Sequence, residues 1–88
     1  MHAVVFEVEM KEGWEATVDQ ELDFIEGSLK ELPGFTRGTW TTDGDVGYAL
    51  ILFESKDVAQ EVAANAFLPP DAGATLRSVR ALDVLREA

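Results

Sequence analysis

A chain of 88 residues buries only about 60–65% of the surface its unfolded form exposes, so its own core is marginal. It has no cysteine, which excludes disulfide staples, a thiolate metal site and a thiol nucleophile, and leaves self-association as the ordinary way to gain buried area. Seventeen acids against seven bases give a formal charge of −10, a balance that excludes phosphate-led nucleic-acid binding and attraction to an anionic membrane surface.

The first segment, "HAVVFEVEM", carries Val4, Phe6, Val8 and Met10 on one face at period two, the pattern of a strand. "KEG" breaks it. From Trp14 the spacing changes: Trp14, Val18, Leu22, Ile25, Leu29 and Leu32 form one apolar stripe, which predicts a helix. Nine acids between residues 7 and 31, against Lys11 and Lys30, read as the solvated side of that region. Pro33-Gly34 ends the helix.

Phe35 to Thr42 reads as a second strand and Gly47 to Phe53 as a third. "DGDVG" between them is a hairpin turn, because Asp-Gly supplies the positive φ that tight turns need. The third strand, "GYALILF", is apolar on both faces and so is expected at the centre of the sheet. Ser55 is placed to cap a second helix through its hydroxyl, whose inner stripe is Val58, Ala59, Val62, Ala63, Ala66 and Phe67. "LPPDAGA" is a loop, and Thr75 to Leu85 a last strand. No apolar run approaches the ~18 residues of a membrane span, and no leader pattern opens the chain; a cytoplasmic protein is expected.

The order is β-α-β-β-α-β over one domain, residues 1–88, which predicts an α+β, ferredoxin-like fold: a four-stranded antiparallel sheet with two helices on one face. The other face still carries apolar residues of the first and third strands, more than water tolerates. Two copies pairing sheet to sheet would cover it, so a homodimer is expected.

Pro33-Gly34-Phe35, Gly38-Thr39-Trp40-Thr41, Asp43-Gly44, Phe53-Glu54-Ser55 and the closing strand from Ala74 to Leu85 resemble the dimeric α+β-barrel superfamily. Within it they resemble the antibiotic-biosynthesis-monooxygenase-like (ABM) group, and in that group a small actinobacterial type. The resemblance spans nearly the whole chain. It implies a cofactor-independent monooxygenase or isomerase of small aromatic or polyketide-like compounds; the scarcity of titratable groups favours the alternative, a non-catalytic dimer that binds a small hydrophobic ligand or a partner. The haem degraders of the superfamily resemble one another in an Asn on the first strand, a Trp before "ES" and a His on the second helix. Here Phe6, placed by lining up the Gly13 turn, and Phe53 stand at the first two positions, and Ser55 to Phe67 contains no histidine. Haem breakdown is therefore not implied, and no cofactor or metal is.

With the hairpin turning at Asp43 to Val46, Trp40 faces Ala49 and Gly38 faces Ile51. Trp40, Ala49, Ile51 and Phe53 then share one face, while Tyr48, Leu50 and Leu52 share the other. Aligning Phe53 with the relatives' cleft-lining tryptophan puts Trp40 on the open sheet face, as the wall of a pocket or interface. The alternatives are the helix-side core and a direct part in chemistry. The expected ligand pocket is Trp40, Phe53, Phe6, Ile51 and Arg37.

His2 is the only histidine and the only side chain that ordinarily titrates near neutrality. It is a candidate base without a partner visible in the sequence, or an exposed terminal residue. Tyr48, on the same face as Arg37, is a candidate donor to a phenolic ligand, or an amphipathic residue at a sheet edge or dimer seam. Glu7 and Glu9 share a strand face without a visible acid/base split.

Overall fold

The computed structural model describes residues 1–88. In chain order the elements are β1 (His2–Met10), a single 3-10 turn (Trp14–Ala16), α1 (Val18–Lys30), β2 (Phe35–Thr42), β3 (Val46–Phe53), α2 (Lys56–Asn65) and β4 (Ala74–Asp83). The strands form one antiparallel sheet in the order β2-β3-β1-β4. β3, apolar on both faces, is inside, as its composition requires. This is the expected ferredoxin-like α+β arrangement.

The elements follow from local signals. Gly13 takes φ 81° to turn β1 toward the helix, and Thr17 leaves the helical region, so Trp14 sits in the separate turn before α1 rather than on it. Gly34, at φ 77°, ends the first βα unit and its carbonyl accepts from Glu54 N at 2.8 Å, tying the exits of α1 and β3 together. Ser55 caps α2 as its sequence position predicts, its Oγ accepting from Val58 N at 3.3 Å. α2 stops at Asn65, because Ala66 is already extended ahead of the Pro69-Pro70 corner. Phe67, expected on the inner stripe of the helix, is therefore outside it and 77% exposed.

The core lies on one side of the sheet. Val4, Ala49, Ile51 and Phe53 pack against Leu29 of α1 and Ala59 of α2, with Phe6, Trp40, Ile25, Val62 and Val79 around them. Both helices therefore cover the same face. Phe35 meets Phe53 edge-on, ring centroids 6.0 Å apart, a favoured aromatic geometry. β4 ends at Asp83 rather than at Leu85. Val84 N then donates to Met1 O at 3.1 Å and the chain turns onto the open face.

The end of the chain forms a strap. Glu87 Oε1 accepts from Arg37 Nη2 at 3.2 Å; Glu87 follows β4 at one edge of the sheet, and Arg37 is on β2 at the other. Three interstrand spacings are about 14 Å, which is also the reach of about four extended residues. Residues 84–87 thus cross the sheet. They do so on the side away from the helices, where Leu52 and Ala3 are 2% and 5% exposed although neither belongs to the helix-side core.

Candidate functional site

The register of the β2–β3 hairpin decides which side chains share a face. Trp40 pairs with Ala49 and Gly38 with Ile51, the pairing expected from the turn. The face, however, is the other one. Trp40, Ile51, Phe53 and Phe6 lie beneath the helices, not on the open face where Trp40 was expected. The physical reason is size: Gly38, Gly47 and Ala49 sit in the same rows, and small residues let large neighbours and helices approach the sheet. A Cβ at Gly47 would stand 2.9 Å from Val8 Cγ2.

Four of the five expected pocket residues are thereby brought together, and Arg37 is separated from them. The register shifts between Phe35 and Arg37, which leaves Thr36 as an extra residue. The bulge lets Phe35 share the helix side with Gly38 and Trp40. From Arg37 to Trp40 the pairing is regular, so alternation alone sets Arg37 on the open side, opposite Leu52. Within the group of four the roles differ. Phe53 is fully buried and Ile51 nearly so, which makes them floor. Trp40 and Phe6 are half-buried and form the wall that a ligand could touch. No polar side chain is fully buried in the chain, and the residues that pack on the core beside this wall are apolar.

Tyr48 is on the open face with Leu50, both exposed, in line with Glu7 and Val5 of β1. Glu7 is engaged with Arg77 at 3.7 Å, an exposed pair of small energetic weight, and Glu9 is exposed; the two do not form an acid/base couple.

His2 has a partner that the sequence did not reveal. β1 and β4 set His2 opposite Asp83, and His2 Nδ1 lies 3.0 Å from Asp83 Oδ1. A carboxylate on one ring nitrogen fixes the tautomer and leaves Nε2 free. The pair borders a depression of about 290 Å³ with Lys56, Ala59, Gln60, Ala81 and Leu82. This is not the Trp40 wall: His2 is level with Phe53 on the sheet, and Trp40 with Ala49. A second depression of about 290 Å³ lies between Lys11, the Phe67–Pro70 loop and the start of β4. The antiparallel β1–β4 pairing of the fold was the signal that could have matched His2 with a residue near 83. Asp43, in the hairpin turn, accepts from Val46 N and Asp45 N, both at 2.9 Å. These two donors, Val46 first, hold its carboxyl below the ordinary aspartate value, a turn-stabilising role. No group of three or more His, Asp or Glu side chains is placed to hold a metal ion.

These features define a small ferredoxin-like α+β protein with an aromatic wall under its helices. No protein-family model and no curated protein matches the chain. Among solved structures it is similar to MhuD, a haem degrader from Mycobacterium tuberculosis solved with two haems bound in its active site, at TM-score 0.72 and 16% identity over 100% of this chain and 99% of that one. A point mutant of MhuD with two manganese protoporphyrin IX molecules per active site matches at TM-score 0.73 and 16% identity, over 100% of this chain and 98% of the other. At this identity the likeness is one of fold, the ferredoxin-like α+β arrangement that the element order predicts.

Proposed function

We propose that the chain acts as one domain, in the cytoplasm, as a homodimer that binds a small, flat hydrophobic or aromatic ligand beside Trp40, between helices and sheet. The observation that carries the ligand reading is the wall of Trp40 and Phe6 over Ile51, with Ile25 packed against the same cluster. Largely apolar pockets with aromatic walls suit such ligands. Titration of the Trp14→Phe variant, in which Trp40 is the sole tryptophan, with metal-free protoporphyrin IX as the probe tests it. Saturable quenching of the Trp40 emission is expected, and emission unchanged by the probe contradicts the reading.

Haem chemistry is not part of this proposal. A haem iron takes an axial donor from the protein. The inner stripe of α2 offers Val58, Ala59, Val62 and Ala63, and the only histidine of the chain, His2, borders a different depression, level with Phe53 and away from the Trp40 wall.

The homodimer reading rests on the open face. All four arginines of the chain, Arg37, Arg77, Arg80 and Arg86, belong to that face or its strap, against Glu7, Glu9 and Glu87. In a chain of net charge −10 this balance lets two copies approach on this face without strong repulsion. It also exposes Tyr48, Leu50 and Leu82, an apolar centre of the kind that interfaces cover.

A second reading, an ABM-like cofactor-independent monooxygenase or isomerase of small aromatic or polyketide-like compounds, is favoured by one observation: the His2–Asp83 contact gives the chain a histidine held in one tautomer beside a depression. Oxygen uptake with 1-naphthol as probe, lost in His2→Gln, supports it; no turnover, or turnover unchanged in that variant, removes His2 as its base.

A further inference from the structure

We infer that the C-terminal strap is itself part of the self-association surface, and that Leu85 is its anchor, seated in a second copy of this chain against Val5, Tyr48 and Leu50. The inference rests on the homodimer reading above and names the residues that make that interface.

Leu85 is 97% exposed, so it touches almost nothing in its own protomer. It is nevertheless not on a loose end. The strap is held before it by Val84 N to Met1 O at 3.1 Å and after it by Glu87 to Arg37 at 3.2 Å. Val84 is half-buried, and alternation along an extended segment turns the next side chain the opposite way, out from the sheet. The backbone that carries the leucine is therefore already ordered before a partner covers it.

The strap also shapes the face. By burying Leu52 and Ala3 it forms a ridge across one end of the sheet, and it leaves Val5, Leu50 and Tyr48 as a lower, uncovered region beside it. Val5 and Leu50 are directly paired, as are Glu7 and Tyr48, so this region is apolar with Glu7 and Glu9 along its far side. Arg86 comes directly after Leu85 on the ridge. A two-fold axis between two such faces sets the ridge of each copy into the low region of the other, with the leucine onto the Val5–Leu50 pair. A contact of this kind is self-complementary, as an isologous interface requires.

Sedimentation velocity over a concentration series, with Leu85→Glu and a chain ending at Asp83, tests this. The expected result is a dimeric wild type and about tenfold or greater weakening of association in both variants, a change of about 1.4 kcal/mol or more. Far-UV circular dichroism should be unchanged in Leu85→Glu, since that side chain supports nothing in its own protomer. A dimeric wild type whose Leu85→Glu variant associates equally tightly overturns this inference alone. Tighter association of the shortened chain also overturns it, because the strap would then be a cover that the partner displaces. A wild type that stays monomeric throughout overturns the homodimer reading and this inference with it.

Discussion

The indole of Trp40 lies back along β2 over Gly38, so that a Cβ at position 38 would stand 2.8 Å from Trp40 Cη2 and 3.0 Å from Ile51 Cδ1. The glycine is a seat for the ring, and the position of the wall depends on it. Gly38→Ala is expected to tilt Trp40 outward, shift its emission to the red and cost about 1–3 kcal/mol, the usual range for overpacking. Emission spectra and a urea titration check this; an unshifted spectrum at unchanged stability contradicts the seating.

Phe53 and Trp40 share a face but not a role. Phe53 is fully buried between the sheet and the helices, so Phe53→Ala is expected to lose about 3–5 kcal/mol, a large share of the roughly 5–15 kcal/mol that holds a domain together. Trp40→Phe, at the half-exposed wall, is expected to cost far less and to weaken binding of an aromatic probe. Equal stability losses in the two variants would contradict the division into floor and wall.

The Ser55 cap is a single hydrogen bond at the entry to α2. Removing it in Ser55→Ala is expected to cost about 1 kcal/mol, and Ser55→Asp to restore most of the loss by accepting the same backbone donor. Chemical denaturation of the three proteins at equal protein concentration measures the series.

Asp43 supplies a pH dependence of known sign. Its carboxyl is held below the ordinary value by the Val46 and Asp45 backbone donors, so the folded form holds its proton less readily than the unfolded one. The stabilisation is therefore fully present above the unfolded value, about 3.9, and is lost as pH falls through the lower folded value. Asp43→Asn is expected to be less stable than the wild type at neutral pH, with the difference shrinking below about pH 3.9. Thermal melts of both proteins between neutral and acid pH check it, and a difference that persists unchanged in acid contradicts it.

Much of the fold was legible because each element carried its own signal. The Asp43-Gly44 turn set the β2–β3 register, the stripe through Leu22, Ile25 and Leu29 gave α1, and Ser55 marked the start of α2. The face beneath the helices was not legible. β3 is apolar on both sides, so its period separates Ala49, Ile51 and Phe53 from Tyr48, Leu50 and Leu52 without saying which set the helices cover. Gly38, Gly47 and Ala49 were the available clue, since close approach needs small side chains. The side of Arg37 was legible: it lies three regularly paired residues before Trp40, so alternation along β2 sets it on the opposite face with Tyr48 and Leu52, and its place in the Trp40 pocket was the error. The His2–Asp83 pair and the Arg37–Glu87 strap join residues 81 and 50 positions apart, and only the assembled sheet brings them together.

The homodimer reading sets two copies together on the charge-balanced open face and not on the acidic helical side. Sedimentation velocity of the wild type beside Leu50→Glu decides between the two, because Leu50 is exposed on the open face and its replacement leaves the helix-side core intact. A dimer is expected for the wild type at micromolar concentration and a folded monomer for the variant. A wild type that sediments as a monomer, or a variant that remains as dimeric as the wild type, would contradict the reading.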